Sequence, residues 1–231
     1  MFEQFRQRSY EFERLDTGDY TSEEYAVWLG EMRRIHNFFG ELRALKKTLL
    51  REVENSVANR VSILDVGAGN GYILGELAKQ MNGRQGVLVG VELSTEAAAS
   101  IPSFGASAVQ GDGTRLPFAD EQFDHAFCTL MLHHLSDDDA VKLLDEMARV
   151  SRGKIFVVDL NRDRTAYYMY KLFAPVFFQR LTVEDGALSI LRSRTPDELS
   201  KLAEEANLKQ IEVVRSRLNR LVLSGIGGSD A

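Results

Sequence analysis

The sequence predicts a doubly wound α/β fold: a mostly parallel, Rossmann-like seven-stranded sheet with an antiparallel last strand and a helical N-terminal lid. Three observations carry this. Short β-branched runs alternate with helix-length segments between residues 61 and 160, the pattern of βαβ units that cover a parallel sheet on both faces. The first run ends in a Gly-rich turn that opens a helix. Two further runs, Gln210–Arg215 and Arg217–Leu223, have almost no chain between them. A parallel crossover needs a dozen or more residues, so these two pair antiparallel.

The elements follow in order. Thr21 lies three residues before Glu24, the reciprocal capping spacing of a helix start. Tyr25, Trp28, Leu29, Met32, Ile35 and Phe39 then recur at helical spacing, and Leu42, Leu45, Leu49 and Val53 continue the stripe past Gly40. One helix or two fit that stripe. Residues 1–60 are therefore set apart as a helical segment that packs on the core or covers a site. Val61–Val66 is the first strand and Tyr72–Met81 the first crossover helix. Val87–Val91 precedes Ser94, an N-cap for the Ala97–Ala99 stretch. Ala106–Val109, Phe123–Cys128 and Lys154–Val158 are strands three to five. Ser136 with Asp139 caps a helix to about Val150, and Asp137–Asp139 complement its dipole. Thr195, Pro196 and Glu198 supply N-cap, N1 and N3 of the last helix.

Composition narrows the function classes. The 231 residues are 44% hydrophobic and 27% charged, which is ordinary globular composition. A lone Cys128 rules out an internal disulfide framework and a cysteine zinc site. No His/Cys/carboxylate group shows metal spacing. The net charge of −6 speaks against a phosphate-backbone partner. Met1–Leu15 has no apolar signal core, and no run is long enough to span a bilayer. A cytoplasmic protein with a small-molecule partner is expected.

The chemistry concentrates at Asp65-Val-Gly67-Ala68-Gly69-Asn-Gly71. Glycines there allow close backbone approach to a ligand. A dinucleotide fingerprint needs a glycine where Tyr72 stands, so a nicotinamide enzyme is disfavoured. The motif instead resembles motif I of the class I S-adenosylmethionine-dependent methyltransferases. Glu92 ends the second strand, where a carboxylate can accept from both ribose hydroxyls, with Leu93 against the adenine. Asp112 and Gly113 follow strand three, and the resemblance implies contacts of that Asp and the next amide with adenine. Leu116-Pro117-Phe118 and Phe123-Asp124 also match the family's approach to strand four. The resemblance covers residues 60–160 and assigns S-adenosylmethionine as cofactor, held by Asp65, Gly67, Ala68, Gly69, Glu92, Leu93, Asp112, Gly113, Thr129 and Leu130.

Thr129-Leu-Met-Leu-His-His-Leu135 resembles the corresponding segment of small-molecule methyltransferases. His133 is the candidate catalytic base, because a neutral imidazole can take a hydroxyl proton. Asp159 after strand five can orient a histidine or bind substrate, or cap the next turn. His36 and His125 read as packing residues. No Asn-Pro-Pro-Tyr or Asp-Pro-Pro-Tyr follows strand four, which the resemblance associates with nucleobase or glutamine amines. The aromatic stretch 165–194, with Tyr167, Tyr168, Tyr170, Phe173, Phe177 and Phe178, suits a hydrophobic or phenolic acceptor or simple packing. A narrower resemblance, over Asp163–Leu199, is to a bacterial subgroup associated with polyketide-type biosynthesis. The expectation is O-methylation of a small acceptor. N- or C-methylation and a non-catalytic binding subunit are the alternatives, and the oligomeric state is open.

Overall fold

In the computed structural model, which describes residues 3–81 and 85–227, the apolar runs pair into one sheet. Its strands are β1 (Arg60–Val66), β2 (Gln85–Glu92), β3 (Ser107–Gln110), β4 (His125–Thr129), β5 (Lys154–Leu160), β6 (Lys209–Ser216) and β7 (Arg220–Ile226). Their order is β3-β2-β1-β4-β5-β7-β6. β1 to β5 pair in parallel, and β7 runs antiparallel between β5 and β6. The chain winds outward from β1 to β3, then returns to β4 on the other side of β1. That reversal leaves a crevice at the carboxyl ends of β1 and β4, where ligands of such sheets bind.

The helices are α1 (Arg14–Thr17), α2 (Ser22–Phe38), α3 (Glu41–Lys47), α4 (Leu49–Asn55), α5 (Tyr72–Ala78), α6 (Thr95–Ser100), α7 (Asp137–Arg149), α8 (Arg164–Phe177), α9 (Arg180–Arg192) and α10 (Pro196–Glu205). Alternate strand residues serve opposite layers, as the two-residue pleat requires. Ile63, Phe127 and Phe156 face Leu45, Leu49, Val53 and Leu74 of α3, α4 and α5. Leu64, Cys128 and Val157 face Leu143, Met147, Leu199 and Ala203 of α7 and α10. Each fully buried leucine or phenylalanine contributes roughly 1.5–3 kcal/mol by leaving water. The strands therefore read as continuous apolar runs because both faces are covered.

Four differences from the sequence expectation stand out, apart from shifts of one to three residues at other element ends such as α5, which ends at Ala78. The N-terminal stripe is three helices after Thr21, because Gly40 adopts φ 107° and Thr48 takes φ −118°, ψ −83°, each breaking the helical path. The fourth strand starts at His125 rather than Phe123, which makes only an isolated bridge to Ser151. The aromatic stretch, left without assigned elements by the sequence, is a helix pair, α8 and α9. The last strand starts at Arg220 rather than Arg217. Leu218 (φ 56°) and Asn219 (φ 62°) take left-handed backbone in the three-residue connection, Arg217–Asn219, between the paired Ser216 and Arg220. Apolar pattern alone placed Leu218 in a strand. No helix among the described residues is long and apolar enough to cross a membrane.

Candidate active site

The Gly-rich turn after β1 is built by backbone. The amides of Gly67 and Ala68 both donate to the Val91 carbonyl (2.9 and 3.0 Å), which ties the turn to β2. Gly67 has φ 73°, and a Cβ there would sit 2.6 Å from the Met131 sulfur. Gly69 has φ 53° with open space beside it. Ala68 is buried at the base of the turn. Asp65 lies beneath, buried, with neither carboxylate oxygen partnered. Burial, with the Glu92 charge nearby, pushes its carboxyl well above the usual range.

Glu92 reaches across from the end of β2. One carboxylate oxygen accepts from the Gly69 amide (2.8 Å) and the other from Ser94 (3.0 Å). Each oxygen keeps a second lone pair, so both can still accept from a ligand. Glu92 and the Gly67–Asn70 turn line one end of a cavity of about 1210 Å³. Leu93 is 71% exposed and does not line it. Nor do Asp112 and Gly113. The Asp112 carboxylate accepts from the Thr114 amide and hydroxyl, both at 2.8 Å, closing a local turn. Gly113 is packed, since a Cβ there would lie 2.8 Å from Val66.

The end of β4 supplies the opposite wall. Thr129 and Leu130 line the cavity, Leu130 with φ 50° and its amide on the Val158 carbonyl at 2.9 Å. A 3-10 turn, Leu132–His134, follows. It is fastened by arginines: Arg194 donates to the Leu132 carbonyl (2.7 Å) and Arg8 to that of His133 (2.8 Å). His133 is buried and lines the cavity. Its Nδ1 lies 2.6 Å from Asp159 Oδ1, and its amide donates to Asp159 Oδ2 at 3.0 Å. Burial opposes the Asp159 charge, yet His133 and the Leu160 amide hold this carboxyl below the usual range. With Nδ1 donating to the carboxylate, Nε2 is left as the acceptor.

Nε2 faces Glu13 Oε1 at 3.9 Å, too far for a direct hydrogen bond. Glu13, which lines the cavity beside His133, is a residue that sequence reasoning did not single out. It is buried, accepts from the Ser189 hydroxyl (2.9 Å) and lies 3.4 Å from Arg192. Burial pushes its carboxyl up to about 7, against the pull of His134, Ser189 and Arg192. Glu13, His133 and His134 bring ligand atoms within 4.8 Å of one another, a grouping invisible in the sequence spacing. Glu13 Oε1 and His134 Nδ1 already have partners, however. His134 Nδ1 lies 3.0 Å from Asp16, and the Arg192 cation beside Glu13 opposes a metal ion.

The rest of the cavity is mostly apolar, with Arg33, Thr182, Asp185 and Ser189 among its polar wall residues. Trp28, Leu29, Met32 and Phe39 enter from the first helices, and Met169, Phe173 and Phe177 from α8. Tyr72, which breaks the dinucleotide pattern, holds α2. Its hydroxyl donates to Asn37 (2.9 Å), and its ring stacks near His36 with Arg33 over it. His36 is half-buried there, and desolvation lowers its pKa. His125 packs by Phe156 instead.

Comparison with known proteins agrees with this geometry. Residues 63–154 match the methyltransferase domain family. That match spans β1 to β4 and α7 and ends at the start of β5. A demethylmenaquinone methyltransferase of Mycolicibacterium vanbaalenii is 33% identical over 144 residues, 62% of this chain and 58% of that one. An uncharacterized protein of Methanocaldococcus jannaschii is 28% identical over 155 residues, 66% of this chain and 65% of that one. The chain thus spans 58–65% of the length of these relatives. A SAM-dependent methyltransferase structure from Aquifex aeolicus shares the fold, with TM-score 0.56, 18% identity and coverage of 78% of this chain and 87% of that one. S-adenosylmethionine is the cosubstrate of the class, and the methyltransferase domain fits it. The Gly69 space is open, Glu92 has free acceptor capacity, and the cavity exceeds the roughly 300–1,000 Å³ of an ordinary ligand site.

Proposed function

We propose that the protein transfers a methyl group from S-adenosylmethionine to a small apolar or phenolic acceptor in the cytoplasm, with oxygen as the methylated atom. The observation that carries this reading is His133, buried between Asp159 and an apolar cavity whose other end is the Gly67–Asn70 turn. When bound, S-adenosylmethionine supplies an activated methyl group on a sulfonium. The chain's own residues then have three tasks. Glu92, Asp65, Thr129, Leu130 and the glycine turn hold the cofactor end, with Leu93, Asp112 and Gly113 assigned to its adenine. The lid and α8 exclude water and orient the acceptor, which supplies proximity rather than new chemistry. His133 Nε2 takes the hydroxyl proton, its tautomer fixed by Asp159. The likeness to the Mycolicibacterium demethylmenaquinone methyltransferase supports an apolar, ring-bearing acceptor.

The test is a panel of hydrophobic phenols, enols and amines with methyl-labelled cofactor. The expected result is label in a phenolic or enolic product, and a His133→Ala variant that keeps cofactor affinity while losing about 10²–10⁴ in turnover. Label transfer at the wild-type rate in that variant removes His133 as base. Calorimetry showing no S-adenosylmethionine binding favours a non-catalytic subunit instead.

A further inference from the structure

Helix α8 presents two faces. Tyr167, Tyr170 and Ala174 turn inward, Tyr170 donating to the Thr182 carbonyl at 2.7 Å. The outward positions Tyr168, Met169, Leu172, Phe173, Val176 and Phe177 are 44–75% exposed. Six large apolar side chains at i, i+1, i+4, i+5, i+8 and i+9 make one continuous stripe of three turns. Scattered exposed apolar residues are ordinary, but a contiguous stripe marks a contact surface. Met169, Phe173 and Phe177 belong to both the stripe and the cavity wall. The stripe is therefore the outer lip of the site's apolar end.

The charge pattern around it selects the occupant. The chain as a whole is acidic, at −6. Yet residues 164–183 contain Arg164, Lys171 and Arg180 and no Asp or Glu, the longest acid-free run in the sequence. Lys171 is exposed and lies over the Tyr167 ring at 5.5 Å. Arg180 is exposed at the far end and reaches Glu184 beyond the run. With Arg180 paired to Glu184 and Asp163 capping the helix start, the exposed Lys171 is the cation beside the stripe. An apolar helix face with such a cation at its edge complements an anionic lipid surface, where the helix lies in the headgroup plane. A symmetric dimer through this face would set that cation against its own copy.

We propose that α8 docks the protein on an anionic membrane surface, with the stripe in the acyl boundary and Lys171 among the headgroups. The apolar end of the cavity then opens to the bilayer, so a lipid-soluble acceptor enters without crossing water. That entry route rests on the proposed methyl transfer; the docking does not.

The experiment is co-sedimentation of the full chain, without cofactor, with vesicles of phosphatidylglycerol plus phosphatidylcholine and with phosphatidylcholine alone. Binding to the anionic vesicles, weakened by salt, is expected. Leu172→Ser with Val176→Ser, neither on the cavity wall, should cut partitioning about tenfold or more. Lys171→Glu should cut it about fivefold or more on anionic vesicles only. It also serves where the double variant fails to fold by circular dichroism. Absence of wild-type sedimentation, or wild-type partitioning by a folded double variant or by Lys171→Glu, overturns the docking. So does a solution dimer that the double variant converts to monomer. S-adenosylmethionine calorimetry on the same preparations keeps failure of docking distinct from failure of the proposed activity.

Discussion

Replacing Glu13 by Gln should stabilise the protein at alkaline pH and leave it unchanged at acid pH. Glu13 is 3% exposed and hydrogen-bonded by Ser189, and burial raises its carboxyl from 4.5 to about 7. The folded chain therefore holds this proton over a pH range in which the unfolded chain has released it. A group that binds its proton more tightly when folded contributes stability below the unfolded value and loses it as pH rises to the folded one. The window is thus pH 4.5 to about 7. Two and a half pH decades at ~1.36 kcal/mol each set a ceiling of about 3 kcal/mol. Glutamine keeps the shape and can still accept from Ser189, but carries no charge to desolvate. The variant should gain up to about 3 kcal/mol at pH 8, or roughly 6–12 °C in Tm for a chain of this size. Thermal or urea unfolding at pH 5 and pH 8 measures it. Equal effects at the two pH values, or a loss at pH 8, refute the reasoning. A loss would mean that Arg192, 3.4 Å from Glu13, outweighs the burial.

Two further outcomes are expected. Glu92→Ala should weaken S-adenosylmethionine binding about a hundredfold or more, since two charge-assisted hydrogen bonds of ~1.5–3 kcal/mol each are lost; calorimetry giving wild-type affinity sinks the ribose assignment. Asp159→Asn should lower turnover and shift its pH profile while cofactor affinity holds, because an amide nitrogen facing His133 Nδ1 reverses the tautomer; an unmoved profile leaves Asp159 a packing residue.

The sheet was legible because its signals are local. Val61–Val66, Lys154–Val158 and the Gly67–Gly71 turn announce themselves within a few residues. The capping pairs Thr21–Glu24 and Thr195–Glu198 also form as spacing alone requires. What pattern could not supply was backbone handedness at non-glycine positions. Leu218 at φ 56° moved the start of β7 by three residues. A hydrophobic residue in a tight turn carries no mark in the chain.

The site divides along the same line. His133 and Asp159 flank strand ends, where motif and position coincide, and the structure joins them at 2.6 Å. Glu13 offered only its spacing to Asp16, a capping pair formed with an atypical residue. Its partner Ser189 is 176 positions away. Nothing local distinguishes it from the surrounding charges of the N-terminal segment. Its burial arises when the segment around α1 packs on α9 and strips it of water. The raised carboxyl is thus a product of tertiary packing alone. Tyr72 shows the complementary case. As text it only rejected one cofactor class; as structure it ties the lid to the cofactor turn through Asn37. One side chain thereby couples the cofactor end of the cavity to the helices that shape its acceptor end.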